Sequence, residues 1–136
     1  MSLNYEERSA VVQLRLEKSL LTLKEAKGTA EMQFWPSAAN RLYYAAYYSV
    51  SALLIANGDS AQTHAGVKVI FGKNFVKTGI VSREMNDLYQ KLFSLRMTGD
   101  YDVTYNLTAT DVLPLITPTE EFINTINALT ADKLKK

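Results

Sequence analysis

The chain has 136 residues, no cysteine, one histidine and a formal net charge of +1. This length suits a single domain with its own core. The lack of cysteine excludes disulfides, thiolate metal sites and a cysteine nucleophile, and one histidine excludes any site that needs two imidazoles. With so small a net charge, binding to a nucleic acid would depend on a local basic surface.

The first predicted helix runs from Asn4 to about Lys27. Its leucines and valines recur at helical spacing among charged residues, which is typical of an amphipathic helix. Gly28 predicts its end. Pro36 suits the first turn of a second helix, and the Asn57-Gly58 pair predicts where that helix stops.

The second predicted helix carries few polar residues, which indicates a central helix buried on every side. One face has mostly small side chains that let another helix approach closely: Ala38, Leu42, Ala45, Ser49, Ala52 and Ala56. A second face has bulky side chains, among which Tyr43 and Tyr47 are predicted to pack in the core. The third face bears Arg41, Tyr44 and Tyr48. Buried phenols and guanidinium groups need polar partners, so this face either serves the fold or lines a site.

The third predicted helix spans Thr63 to Thr78 and is expected to be irregular, because Gly66 and Gly72 each cost roughly 1 kcal/mol relative to alanine. Ser82 is a good N-cap for the fourth helix. The apolar spacing of that helix continues onto Arg96, which is therefore predicted to point inward.

The residues from Asp100 to Leu107 are predicted to form a loop. Two starts are open for the last helix, one near Thr110 with a kink at Pro118 and one at Pro118 itself. The first is favoured because the apolar pattern begins before Pro118. Residues 131–136 are charged and are expected to be frayed.

Four main helices plus a shorter or irregular fifth predict an all-α, up-and-down helical bundle that forms one domain over residues 1–136. The longest apolar run is too short and too rich in tyrosine to span a bilayer, and the N-terminus lacks a hydrophobic signal segment. A cytoplasmic protein without membrane contact is expected. No glycine-rich phosphate loop and no Glu-x-x-His pair is present, so neither a cofactor nor a metal site is predicted.

Three sequence blocks contain the polar residues that helical geometry turns inward. They are ANRLYYAAY at 39–47, THAGV at 63–67 and LRMTGDY at 95–101. In this order, over roughly residues 37–105, they resemble the HEPN superfamily, and in particular its small stand-alone bacterial and archaeal members. The resemblance implies a helical bundle, a homodimer, and a toxin–antitoxin pairing with a small nucleotidyltransferase.

Active members of that superfamily are metal-independent ribonucleases with an arginine followed after four to six residues by a histidine. Arg96 matches the arginine, but Asp100 and Tyr101 follow it where a histidine would stand. His64 begins a helix, where the neutral imidazole is favoured, and it could face Arg96 across the bundle or across a dimer seam. The resemblance implies a catalytic role for Arg96, and on these chemical grounds His64 is the candidate for the proton transfer.

The same resemblance implies that a nucleotide or RNA is contacted by Arg41, Tyr44, Asp100 and Tyr101. Arg41 is also expected to pair with a carboxylate such as Asp100. One alternative is a non-catalytic interaction module whose inward polar residues hold the bundle together and whose surface meets a nucleotidyltransferase. A second is a small-molecule sensor that uses a cavity of the bundle. A dimer is further expected because the apolar second helix needs cover on all sides.

Overall fold

The computed structural model describes residues 3–102 and 106–135. These residues form five α-helices: α1 (Tyr5–Glu31), α2 (Trp35–Ala56), α3 (His64–Phe71), α4 (Arg83–Tyr101) and α5 (Ala109–Lys133). A π-helical turn at Gly72–Val76 continues α3. All regular structure in the described ranges is helical, which confirms the predicted all-α bundle.

The centre of the bundle is α2, which packs most extensively against α1 and also against α4 and α5. All members of its small-residue face are buried, as predicted. Ser19 of α1 donates a 2.7 Å hydrogen bond to the backbone carbonyl of Ala45, a contact that requires the two helices to lie close together. Helices of the same chain thus cover most of α2. Exposed apolar side chains lie on α1 instead, at Leu14, Leu20 and Leu21.

The first helix is longer than its sequence predicts. It begins at the Asn4 cap, whose side chain accepts a 2.8 Å hydrogen bond from the Glu7 amide. It passes through Gly28 to Glu31, so the predicted end at Gly28 is wrong. A glycine inside a helix costs only ~1 kcal/mol, which the packing of α1 on α2 outweighs. The chain turns at Gln33, which adopts a φ of 64°.

The predicted irregularity of the third helix is confirmed by the π-helical turn that starts at Gly72. The fourth helix begins after Ser82, whose hydroxyl accepts a 3.2 Å hydrogen bond from the Met85 amide. This helix continues to Tyr101, so the predicted loop is wrong for Asp100 and Tyr101. Residues 103–105 of that loop lie outside the described residues.

The last helix begins at Ala109, which confirms the start near Thr110 and rules out a start at Pro118. A capping box fixes this start, with the Thr108 amide donating to Asp111 Oδ2 over 2.9 Å. Pro114 and Pro118 both lie within the helix. The helix then continues to Lys133, and the Tyr5 hydroxyl donates to the carbonyl of Leu134 over 2.8 Å.

The core that supports the site is aromatic. Its largest fully buried aromatic side chains are Tyr43, Tyr89, Phe71, Phe75 and Phe122. The Tyr89 and Phe122 rings are stacked at 5.9 Å with an interplanar angle of 6°. Across the ranges that the structure describes, no helix is both long enough and apolar enough to cross a bilayer.

Candidate functional site

Tyr44 of α2 is the residue around which the polar side chains gather. Its ring lies 5.6 Å from the His64 ring, 5.3 Å from the Arg96 guanidinium and 5.4 Å from the Arg41 guanidinium. Asp100 and Tyr101 join this group through Arg96. All six residues that the sequence nominates therefore lie on one face of the bundle. We call them the Tyr44 cluster: Arg41, Tyr44, His64, Arg96, Asp100 and Tyr101.

Arg96 is the most enclosed cation of the Tyr44 cluster, with 14% of its side chain exposed. One terminal nitrogen donates a 3.1 Å hydrogen bond to the Tyr44 hydroxyl. Its Nε lies 3.0 Å from Asp100 Oδ2, but the N–H does not point at that oxygen, so the contact is an ion pair and not a hydrogen bond. The guanidinium also lies 5.6 Å from the Tyr101 ring. Arg96 points inward as predicted.

The prediction that Arg41 pairs with a carboxylate is confirmed, but the carboxylate is Glu25 and not Asp100. Arg41 donates to the side-chain oxygen of Asn40 over 2.7 and 3.0 Å and lies 3.4 Å from Glu25. Asn40 in turn donates a 3.0 Å hydrogen bond to Asp100. Arg96, one turn before Asp100 on α4, is the cation that pairs with it. Asn40 therefore bridges the two groups.

His64 is the first residue of α3, which is capped by the Thr63 side chain. Its Nδ1 lies 2.7 Å from the Tyr43 hydroxyl. The imidazole also lies against the Tyr47 ring, with centroids 4.3 Å apart. Tyr43 packs in the core as predicted, with 1% of its surface exposed, and its hydroxyl also contacts His64. A phenol on a helix with few polar residues is the signal in the sequence that Tyr43 needs a polar partner.

Burial lowers the pKa of His64 below its ordinary value of 6.5, and the positive charge of Arg96 lowers it further. At neutral pH the imidazole is therefore uncharged. Burial raises the pKa of Tyr43 to about 12, so the phenol bonded to His64 keeps its proton. The pair provides a neutral imidazole held in place by a neutral phenol.

This electrostatic arrangement gives a testable prediction, because His64 is the only histidine of the chain. An NMR titration of its ring protons should give a pKa below 6.5, and Arg96→Gln should raise that pKa. The unfolded chain takes up the proton first as the pH falls below 6.5, so the free energy of unfolding should decrease there. His64→Asn should remove this decrease. A His64 pKa at or above 6.5 would contradict the geometry.

The Tyr44 cluster has basic neighbours despite the small net charge. Lys18 lies 5.1 Å from the Tyr48 ring, and Lys68 lies 5.0 Å from the Phe93 ring. Arg15 is close enough to Tyr47 to oppose the rise in the pKa of that phenol caused by burial. Arg41 and Arg96 bring the positive side chains around this face to five. Arg41 is paired with Glu25 and Arg96 with Asp100.

The comparison with known families decides what kind of domain this is. The family model for the HEPN domain matches residues 12–129, which is most of the chain. The chain belongs to the HEPN family. This confirms the resemblance of the three sequence blocks.

Several HEPN relatives extend the match. A UPF0332 protein of Thermotoga maritima is 36% identical over 126 residues, which are 93% of this chain and 96% of that protein. A Methanocaldococcus jannaschii protein named "Putative toxin MJ0142" is 28% identical over 80% of this chain and 74% of its own length. The crystal structure of TT1696 from Thermus thermophilus has the same fold, with a TM-score of 0.73 at 14% identity over 87% of this chain and 97% of that one.

Within the HEPN fold, α4 supplies Arg96, whereas the only histidine comes from the start of α3. Both residues contact the rings of Tyr43 and Tyr44 from the same chain. The two side chains that the sequence nominated for catalysis are therefore neighbours across the bundle. Tyr101 follows Arg96 after four residues, at the first position of the arginine-to-histidine spacing.

Proposed function

We propose that this HEPN protein binds single-stranded RNA at the Tyr44 cluster and cleaves it without a metal ion, as the toxin of a toxin–antitoxin pair. The observation that supports this proposal is the meeting of Arg96 and His64 on the rings of Tyr43 and Tyr44. One residue brings a permanent positive charge and the other an uncharged imidazole. This is the pair that cleavage by the ribose 2′-hydroxyl requires.

In the proposed reaction, His64 takes the proton of a ribose 2′-hydroxyl and the 2′-oxygen attacks the adjacent phosphorus. The bond from phosphorus to the 5′-oxygen breaks, and that oxygen takes a proton from water. The hydroxide formed then takes the proton from His64, which returns to its neutral form. The products are a 2′,3′-cyclic phosphate and a 5′-hydroxyl. Arg96 stabilises the negative charge that grows on the phosphoryl oxygens.

The proposed reaction needs the His64 tautomer in which Nδ1 carries the proton, and the Tyr43 oxygen 2.7 Å away can accept from it. With Nδ1–H donating to the Tyr43 oxygen, Nε2 keeps a free lone pair and acts as the base. The lowered pKa of His64 keeps this lone pair available at neutral pH. Tyr43 is in this scheme a positioning residue.

RNA binding draws further support from the basic surroundings of the Tyr44 cluster. Lys18, Lys68 and Arg41 each lie within reach of an aromatic ring of this face. A backbone of phosphates is bound by lysine and arginine side chains, and exposed aromatic rings stack on unpaired bases. Tyr101, which is 65% exposed beside Arg96, is placed for such stacking.

The proposal is tested by incubating the purified protein with a single-stranded RNA and the matching DNA in EDTA. The wild type should cleave the RNA and spare the DNA, which has no 2′-hydroxyl. His64→Asn, which can keep a hydrogen bond to Tyr43, should cleave about 100-fold more slowly or worse. Equal cleavage of DNA, or full activity of His64→Asn, would refute the mechanism.

A binding protein that does not cleave is the second candidate, and one observation favours it. Arg96 already has a counterion in Asp100, 3.0 Å away. A protein that binds the RNA but does not cleave it would select this candidate.

Two partners belong to the proposal. The HEPN relatives named as putative toxins support an antitoxin as one partner, and we propose from the family resemblance that it is of the nucleotidyltransferase type. A second copy of the chain is the other, and the exposed leucines of α1 are the surface that supports a homodimer. Leu14, Leu20 and Leu21 are 66%, 52% and 60% exposed.

A further inference from the structure

A cleft of about 220 Å³ lies beside the Tyr44 cluster, between α2, α3 and α4. His64 forms part of both the cleft and the Tyr44 cluster. An apolar cavity of about 150 Å³ is known to hold benzene, so this cleft has room for one planar ring system. Its lining side chains are Tyr43, His64, Ala65, Lys68, Tyr89 and Phe93.

Tyr89 gives this cleft a polar group that is not used by the fold. The residue is 1% exposed, and its hydroxyl has no well-formed hydrogen bond among the described residues. Burial raises the pKa of Tyr89, and the neighbouring Tyr43 phenol raises it further through its charge and a hydrogen bond. No contact between the two hydroxyls has the geometry of a well-formed hydrogen bond. A buried hydroxyl without a partner is costly, and most buried polar groups in native proteins do have one.

The remaining walls are suited to the faces of a planar ring. Phe93 meets the Tyr43 ring edge-on, with centroids 5.5 Å apart. The His64 ring lies 5.7 Å from the same tyrosine. Lys68 lies over Phe93 at 5.0 Å, which places a positive charge by the cleft. An aromatic lining, one unused hydroxyl and one adjacent cation are the features by which proteins hold an unpaired base.

We propose that this cleft receives one unpaired nucleobase of the RNA and that the Tyr89 hydroxyl hydrogen-bonds to the edge of that base. The inference rests on the proposed RNA binding at the Tyr44 cluster and gives it a base preference. Because His64 lies at both places, the base in the cleft belongs to a nucleotide next to the reacting phosphate.

Tyr89→Phe separates this role from a purely structural one. Loss of a hydroxyl that has no well-formed hydrogen bond in the fold should leave the Tm unchanged or raise it. If the hydroxyl contacts a base, the same variant should reduce the preference for that base roughly three- to tenfold, the worth of one hydrogen bond. A structural role would leave the preference unchanged.

Ala65→Leu tests whether the base occupies the cleft, since Ala65 lines the cleft and its side chain is exposed. The larger side chain should fill the cleft and weaken binding of the preferred sequence by at least about tenfold. Ala131→Leu is the matched control, because Ala131 is an exposed helical residue on α5 outside the cleft.

The measurement is fluorescence anisotropy with four 2′-O-methyl RNA octamers, of A, C, G and U, which cannot be cleaved through the 2′-oxygen. The wild type should prefer one or two of them, and Tyr89→Phe should reduce that preference. Equal binding of all four by the wild type, or an unchanged preference in Tyr89→Phe, would overturn the cleft assignment.

The two proposals fail in different ways. If Arg96→Gln weakens binding of every octamer while Ala65→Leu does not, RNA binding stands and the cleft assignment is refuted. If the wild type binds no octamer and cleaves no RNA, the proposed function is refuted and the cleft assignment falls with it.

Discussion

Arg96→Gln is expected to reduce RNA cleavage about 100- to 1,000-fold, the usual cost of losing one group that stabilises transition-state charge. Glutamine can still donate to the Tyr44 hydroxyl, which Arg96 contacts at 3.1 Å. The reduction in cleavage rate would therefore reflect the missing positive charge more than a change in packing. The measurement is the initial cleavage rate of a labelled single-stranded RNA in EDTA.

Two further variants separate the effect of Arg96 from a general effect of positive charge. Lys135→Gln removes one positive charge from a side chain that is 77% exposed and far from the Tyr44 cluster in the sequence, and it should leave the rate unchanged. Arg96→Lys keeps the charge but loses the planar donor geometry, so it should fall between the wild type and Arg96→Gln. A rate for Arg96→Gln equal to that of the wild type would remove Arg96 from the proposed mechanism.

Phe122→Ala is expected to lower the free energy of unfolding by about 3 to 5 kcal/mol, as for other buried phenylalanines. Phe122 is 2% exposed, stacks on Tyr89 and meets Phe71 edge-on at 6.2 Å. A loss of this size would remove a large part of the stability of a domain this small. Chemical denaturation followed by circular dichroism would measure it.

Phe34→Ala is the matched control for that variant. Phe34 precedes α2 and is 56% exposed, so the same truncation should cost less than about 1 kcal/mol. Similar losses in the two variants would show that the aromatic core around Phe122 contributes less than its burial indicates.

The positive side chains around the Tyr44 cluster illustrate how local and global charge differ. The net charge of +1 gives no reason to expect RNA binding. The fold nevertheless brings Lys18 of α1 and Arg96 of α4 to tyrosine rings of α2. It also brings Lys68 of α3 to the Phe93 ring of α4. A near-neutral chain can in this way present a basic surface, because helix packing distributes its acidic and basic residues unevenly.

Several features of the site were hidden from the sequence because they depend on contacts between distant helices. The carboxylate that pairs with Arg41 of α2 is Glu25 of α1 and not Asp100 of α4. Helical periodicity gives the side of a helix on which a residue lies. It does not give the register and crossing angle at which two helices meet, and these decide which charged groups pair.

The sequence by itself determined the helical class, the central position of α2, the caps at Ser82 and Gly58 and the inward direction of Arg96. These properties follow from local periodicity and backbone preferences, which a short stretch of chain already contains. The tertiary structure alone decided that His64 contacts Tyr43 and shares the Tyr44 ring with Arg96. It did so because the packing of α3 and α4 against α2 fixes distances between residues that no local pattern relates.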